Sequence, residues 1–295
     1  MSKTPLSKTP IALVTGGTSG VGLSMVKYLL DQGFFVYFIG SNHARGTTLA
    51  TDMNARGVRT EFVRLDLSDL PAVRAFATHL CQTVSHLDVL ANVAGVLLPT
   101  RQQTATGLEK TLAIGHIGPF VLSTALVPAL QRAPHGRIVN VSGASRGVRT
   151  QRLNWDDLNL ERTYNAARAA MAAVHSKTVM TQLLSDKLSS AHIDVNAFHP
   201  GWVRSGLGRH LPWFLRWPFK GLQPVLSKTS RSGCFVCTSP RGTTGQLYVG
   251  ERGSPLSFTP DYADAVWQWT VETCQRELGP EWGLPEVLQA QSTNA

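Results

Sequence analysis

The stretch Thr15-Gly16-Gly17-Thr18-Ser19-Gly20-Val21-Gly22 constrains the fold of this chain more than any other. It follows a short apolar run, Ile11 to Thr15, that is rich in β-formers. It opens into a segment where Val21, Met25, Val26, Leu29 and Leu30 recur at helical spacing before Gly33. Three spaced glycines between a strand and a helix have a physical use. Gly16 permits the tight turn, Gly20 lets a ligand approach the backbone, and Gly22 lets the helix pack closely on the strand. The helix N-terminus then offers N–H groups and a positive dipole end, which suit a phosphate. The arrangement predicts a dinucleotide cradle.

The remaining chain repeats the alternation. Phe34 to Ile39 is a second strand, Glu61 to Leu65 a third and Leu87 to Asn92 a fourth, with a helix over Leu70 to Val84. A long helix covers much of Leu108 to Arg132, and Arg137 to Val141 is the fifth strand. A helix over Asn165 to Ser190, a strand over Asp194 to Phe198, a last strand over Gly245 to Val249 and a last helix over Asp261 to Leu278 complete it. Alternating strands and helices require a parallel sheet with helices on both faces. The expected fold class is α/β, a Rossmann-type doubly wound parallel sheet. One domain is expected over 11–279, with tails at 1–10 and 280–295. Ligands of such sheets bind beyond the carboxyl ends of the strands, where strand order reverses.

A chain of 295 residues suits one large α/β domain. Lys and Arg number 28 against 19 Asp and Glu, for a formal charge of +9. The basic residues are scattered, which predicts a cationic surface that favours phosphates and argues against nucleic acid as a partner. Cys234 and Cys237 form a CxxC in a helical-looking stretch, Ser230 to Thr238, without a second pair at metal spacing. They are expected to be core cysteines, and no metal site is expected. With Cys81 and Cys274 they make four cysteines and no disulfide framework, which fits a reducing, cytoplasmic setting. The chain shows no apolar signal-peptide core and no run of 18 apolar residues.

The TGxxxGxG spacing resembles the short-chain dehydrogenase/reductase family. Asp66-Leu67 follows the third strand, where the family's Asp contacts adenine. Asn92-Val93-Ala94-Gly95 resembles its NNAG, with Val93 replacing the second Asn. Arg137 to Ser142 (RIVNVS) matches its fifth strand, and His175-Ser176-Lys177 carries its Lys. His199 to Ser205 (HPGWVRS) resembles the segment that covers the nicotinamide. The likeness runs from about Ile11 to Leu278 and is nearest the retinol-dehydrogenase-like branch. It implies cofactor contacts from Gly16, Thr18, Ser19, Gly20, Val21, Gly22, Asp66, Leu67, Asn92, Ala94, Gly95, Lys177, Pro200, Gly201, Val203 and Ser205. The second strand ends Ile39-Gly40-Ser41-Asn42-His43 without the acidic residue that would hold the ribose hydroxyl of NAD. Ser41, Asn42 and Arg45 can instead accept a 2′-phosphate, so NADP(H) is expected over NAD(H). The resemblance also implies a homo-oligomer formed through the two long helices.

The family's chemistry uses Tyr, Lys, Ser and Asn. Lys177 is present, but Ala173 stands four residues before it, where Tyr belongs. Gly143 stands at the Ser position and Gly115 at the Asn position. Tyr164 precedes Ala173 by nine residues, about 13 Å along a helix, and belongs to a family stretch outside the active site. Ser142, Ser145 and His116 are the local candidates to replace the missing groups, against the simpler readings of turn serines and a core histidine. Pro119 cannot donate to the Gly115 carbonyl, so the helix is expected to bend there.

The segment Trp202 to Gln223 carries Trp202, Trp213, Phe214, Trp217 and Phe219 among Arg and Lys. It is expected to be a lid over a lipophilic substrate, or alternatively a membrane-surface contact. The expectation is an atypical enzyme with NADP(H) bound. It would reduce an activated acceptor or catalyse a non-redox cyclisation or isomerisation. The alternative is a dinucleotide-binding scaffold without turnover.

Overall fold

The computed structural model describes residues 9–143, 145–150, 152–201, 229–240 and 242–289. β1 (Ile11–Thr15) turns into α1 (Gly20–Asp31), and β2 (Phe35–Gly40) into α2 (His43–Ala55). β3 (Thr60–Arg64), α3 (Leu70–Thr83) and β4 (Val89–Asn92) follow. Next come α4 (Lys110–Leu112), a π segment (Ala113–Ile117), α5 (Gly118–Ala125) and α6 (Val127–Gln131), then β5 (Arg137–Val141) and α7 (Ser145–Thr150). The chain continues with α8 (Ala166–Lys187), β6 (Asp194–Phe198), α9 (Arg231–Thr238), β7 (Gln246–Val249), β8 (Arg252–Pro255), α10 (Pro260–Leu278) and α11 (Glu286–Gln289). The strands form one sheet in the order β3-β2-β1-β4-β5-β6-β7-β8. Every pairing is parallel except β7 with β8. The doubly wound α/β fold expected from the alternation is therefore present. Strand order reverses between β1 and β4, which opens a cleft there.

Helices cover both faces of the sheet because its central strands are apolar on both sides. Leu13, Leu90 and Ile138 join one apolar cluster, while Val14, Ala91 and Val139 join the other. A polar seam crosses this core. Asn92 Nδ2 donates to Asn140 Oδ1 at 2.9 Å and Asn140 Nδ2 to Thr181 Oγ1 at 3.0 Å, tying β4 to β5 and to α8.

Besides the short α7, three features depart from the expected element list. α2 has only Gly46 and Met53 buried, so it shows little apolar periodicity; Asn42 starts it by accepting the Arg45 N–H at 2.9 Å. A hairpin at Gly250, with φ +66°, adds the antiparallel β8 after the strand expected to be last. Residues 280–289 are not a free tail: Trp282 is 6 % exposed and Leu288 1 %, and both join the core.

The middle of α8, one of the two long helices, packs within this chain. His175 to Thr181 of α8 are all buried, two turns with no open side. α10 supplies much of the cover. Trp267 lies edge-on to Phe120 of α5 at 5.6 Å, with the Lys187 Nζ 4.8 Å above its ring, and Trp269 stacks on His116 at 5.4 Å. Among the described residues, no helix is long and apolar enough to cross a membrane.

Candidate functional site

A cavity of about 330 Å³ occupies the cleft at the switch point. The glycine turn forms its floor, and the ends of β2, β3, β4 and β5 form one rim. The π segment and α8 close the opposite wall. Four bonds fix the floor. The Gly17 N–H donates to the Ile39 carbonyl at 3.0 Å, and Arg45 Nε to the Thr18 carbonyl at 2.7 Å. Thr15 Oγ1 accepts the Val93 and Ala94 N–H groups at 2.9 and 3.1 Å, which brings the end of β4 beside the turn.

The floor has room only for glycine. Gly16 sits at φ +68°, and a Cβ there would lie 2.9 Å from Ala94 Cα. A Cβ on Gly22 would strike the Gly16 carbonyl oxygen. At Gly95 nothing approaches within 4 Å, so the space above the floor is open. A tight glycine floor, an open space and the first turn of α1 together fit a dinucleotide pyrophosphate. Gly22→Ala is expected to destabilise the protein by about 1–3 kcal/mol, because backbone rather than a side-chain tip must move. Urea unfolding of the variant checks this, and an unchanged midpoint would show that the turn is looser than described.

Thr18, Ser19, Gly20, Val21, Ser41, Asp66, Leu67, Ala94, Lys177 and Pro200 line the cavity, as the sequence led us to expect. The Asp66 carboxylate accepts the Ser68 N–H at 2.9 Å and the Ser68 hydroxyl at 2.7 Å, with Lys110 Nζ at 3.6 Å. Partial burial opposes its charge, but these partners outweigh burial and hold the carboxyl below its ordinary value. Asn92 departs from expectation. Its side chain is fully buried and bonded to Ser123 and Asn140, so it braces the sheet and does not line the cavity. Asn42 and Arg45 are exposed at the rim; the Asn42 side chain caps α2, and Arg45 braces the turn through its Nε. Gly201 is exposed at φ +73° and does not line the cavity. Val203, Ser205, the Ser145 side chain and the segment 202–223 lie outside the described residues. Ile114, Val141, Ala170, Val174 and Thr111 also line the cavity. Their positions at strand ends and on helix faces toward the cleft were the available signal.

Gly115, Ala173 and Lys177 all face the cavity, and Gly143 lies beside Ser142 on its wall. The helix leaves α geometry ahead of Pro119: the Gly118 N–H reaches back to the Ala113 carbonyl, five residues away. It also draws Gly115 against α8, so a Cβ at 115 would lie 2.8 Å from Ala173 Cβ. A Cβ at 143 would meet Val148 Cγ2 at 2.8 Å.

Of the replacements considered from sequence, Ser142 and His116 do not fill these roles. Ser142 Oγ and Thr178 Oγ1 are 2.7 Å apart, and Thr178 donates to the Val174 carbonyl at 2.7 Å. A hydroxyl has one hydrogen, so Ser142 donates to Thr178 and has none left for a substrate. His116 does not reach the cleft. It is 1 % exposed and stacked on Trp269. Thr270 spends its hydrogen on the Val266 carbonyl, so His116 Nε2 donates to Thr270 Oγ1 at 2.8 Å. Burial, then the positive charge of Lys177, lowers His116 to about 3. Tyr164 donates to the Leu98 carbonyl at 2.9 Å, outside the cavity lining, and burial raises its pKa. His175 faces away, bonded to Val148 and Tyr262. Cys234 and Cys237 are free, buried thiols that burial pushes up, Cys234 to about 11.

Lys177 lines the cavity. It is 4 % exposed, and burial lowers its amine from 10.5 to about 7. Its Nζ makes no hydrogen bond or ion pair with any described residue.

The sequence profile of the short chain dehydrogenase family matches residues 10–212. Retinol dehydrogenase 11 of Homo sapiens is 34% identical over 209 residues, covering 70% of this chain and 65% of that protein. Retinol dehydrogenase 12 of Bos taurus is 31% identical over 282 residues, covering 92% and 87%. A metagenomic short-chain oxidoreductase solved in complex with NADP superposes with a TM-score of 0.53 at 25% identity, covering 66% of this chain and 83% of that one.

Proposed function

The chain belongs to the short-chain dehydrogenase family, and from that premise we propose that it binds NADP(H) and acts on a lipophilic small molecule without a protein acid. Its substrates are acceptors activated by their own structure, or molecules that it cyclises or isomerises. The observation that carries this reading is the pairing of an intact cradle with a bare wall. Gly16 to Gly22 can seat a pyrophosphate, whereas Gly115, Gly143 and Ala173 offer no proton. A bound nicotinamide would supply or accept hydride. The protein's part is to bind and orient. The α1 N-terminus takes the pyrophosphate, Asp66 the adenine, Ser41 and Arg45 the 2′-phosphate, and Lys177 the ribose hydroxyls. Val141, Ala173 and Val174 keep water from the reacting face.

The lipophilic substrate rests on the apolar cavity wall, on the aromatic segment 202–223, which we propose as its lid, and on relatives named for retinol. A scaffold without turnover is the second reading. The close approach of Gly115 to Ala173 favours it, because the wall has closed over the place where an Asn side chain would stand.

Calorimetric titration with NADPH and, separately, NADH tests the cofactor. The expected outcome is micromolar binding of NADPH, with NADH at least about tenfold weaker. Binding of neither overturns the redox reading.

A further inference from the structure

We propose that Lys177 is a covalent capture site for lipophilic aldehydes, its amine condensing with the carbonyl carbon to form a Schiff base inside the cavity. This rests on the lipophilic-substrate half of the reading above and concerns the cavity without cofactor, since Lys177 cannot hold a ribose and carry an imine at once.

The geometry isolates the amine. Lys177 projects from the middle of a helix buried on all sides, yet it lines the cavity. Its Nζ has no partner among the described residues. The wall around it is apolar: Ile114, Val141, Ala173, Val174 and Pro200. Ala173, one turn back on the same face, carries only a methyl, so no phenol engages the amine.

The titratable groups packed around Lys177 do not protonate or pair it. The π segment brings His116 and α8 brings His175, both made less basic by burial. α10 brings Tyr262, which burial raises and which is bonded to His175. β5 contributes the hydroxyl of Ser142, already spent on Thr178. Asp66 and Lys110 pair with each other at 3.6 Å, where β3 ends. Burial alone holds the amine at about 7, so near neutral pH half of it carries a lone pair. An exposed lysine at the same pH has about a thousandfold smaller neutral share.

The chemistry balances without an oxidant or reductant. The nitrogen lone pair attacks the carbonyl carbon, and a proton moves from nitrogen to oxygen to give a carbinolamine. The C–O bond then breaks, one water leaves and the C=N bond forms. The reverse addition of water releases the aldehyde. An apolar cavity excludes water and favours the imine side. With an α,β-unsaturated aldehyde, the protonated imine withdraws electrons from the neighbouring double bond. That gives the proposed non-redox isomerisation a route that needs no tyrosine.

The test is to incubate the full chain with decanal and sodium cyanoborohydride at pH 7, then map the modified peptides by mass spectrometry. The expected result is one decyl group per chain, on the peptide containing Lys177, with labelling that half-saturates near pH 7. Lys177→Met, with its fold checked by circular dichroism, loses that label. Labelling confined to other lysines, such as the exposed Lys27 or the half-buried Lys110 and Lys187, with none at Lys177, overturns the proposal. NADPH calorimetry on the same preparation separates the two readings. An adduct at Lys177 without NADPH binding keeps the capture site and removes the cofactor. NADPH binding with no adduct removes the capture site and keeps the cofactor.

Discussion

Ala173→Tyr combined with Gly143→Ser is expected to raise NADPH-dependent reduction of a lipophilic aldehyde by about 10²–10⁴-fold over the native chain, the usual worth of a positioned general acid. A tyrosine at 173 would lie on the same helical face as Lys177, four residues on, and both positions line the cavity. The buried lysine would favour ionisation of the new phenol whenever it carries its proton. The serine Cβ at 143 would meet Val148 Cγ2, a side-chain methyl that one rotamer change can move. Adding Gly115→Asn is expected to work against this gain. Its Cβ would meet Ala173 Cβ at 2.8 Å, and neither atom can swing away, so the π segment or α8 must shift. That costs about 1–3 kcal/mol of stability. Steady-state rates and urea midpoints of the double and triple variants check both statements. A double variant that folds and binds NADPH yet gains no rate would show that the cavity no longer seats a carbonyl beside position 173, and it would move the balance to the scaffold reading.

Much of this was legible because it is local. A glycine turn between an apolar strand and an amphipathic helix fixes both the cradle and the switch point, and the apolar strands are buried on both faces. What stayed hidden depends on partners distant in sequence. The histidine at 116 adjoins a cleft residue, but only the fold shows that Trp269 and Thr270, some 150 positions on, claim its ring. Asn92 resembles a cofactor contact by its motif, whereas the Asn140 and Ser123 that hold it come from β5 and α5. The covering of α8 by α10 was equally invisible, since the alanine-rich face of α8 carries no mark of what will lie on it. α2 escaped because a helix begun by a cap and buried at only two residues leaves no apolar period.

Lys177→Met is expected to stabilise the protein by about 4 kcal/mol at pH 7. The sign follows from the two states of the amine. Unfolded, it keeps its ordinary value near 10.5; folded, burial lowers it to about 7. Between those values the unfolded chain binds the extra proton, so native stability rises with pH across that window. The penalty of the buried amine is complete below pH 7 and disappears above 10.5. Methionine has a similar length, no charge and a flexible apolar stem, so it removes the penalty while filling the space. The gain should therefore shrink by about 1.4 kcal/mol for each pH unit above 7 and reach zero near pH 10.5. Urea unfolding of both proteins at pH 7, 8.5 and 10 measures it. His116, lowered to about 3, is neutral in the folded state throughout that range and does not disturb the comparison. A difference that does not change with pH would mean the amine reaches solvent or an anion in the folded protein, and the capture chemistry would lose its neutral nucleophile. A difference that follows the expected slope bears on function as well. A chain that keeps a lysine where methionine would be several kcal/mol more stable is accepting the cost of an active site, which is the usual origin of such a trade.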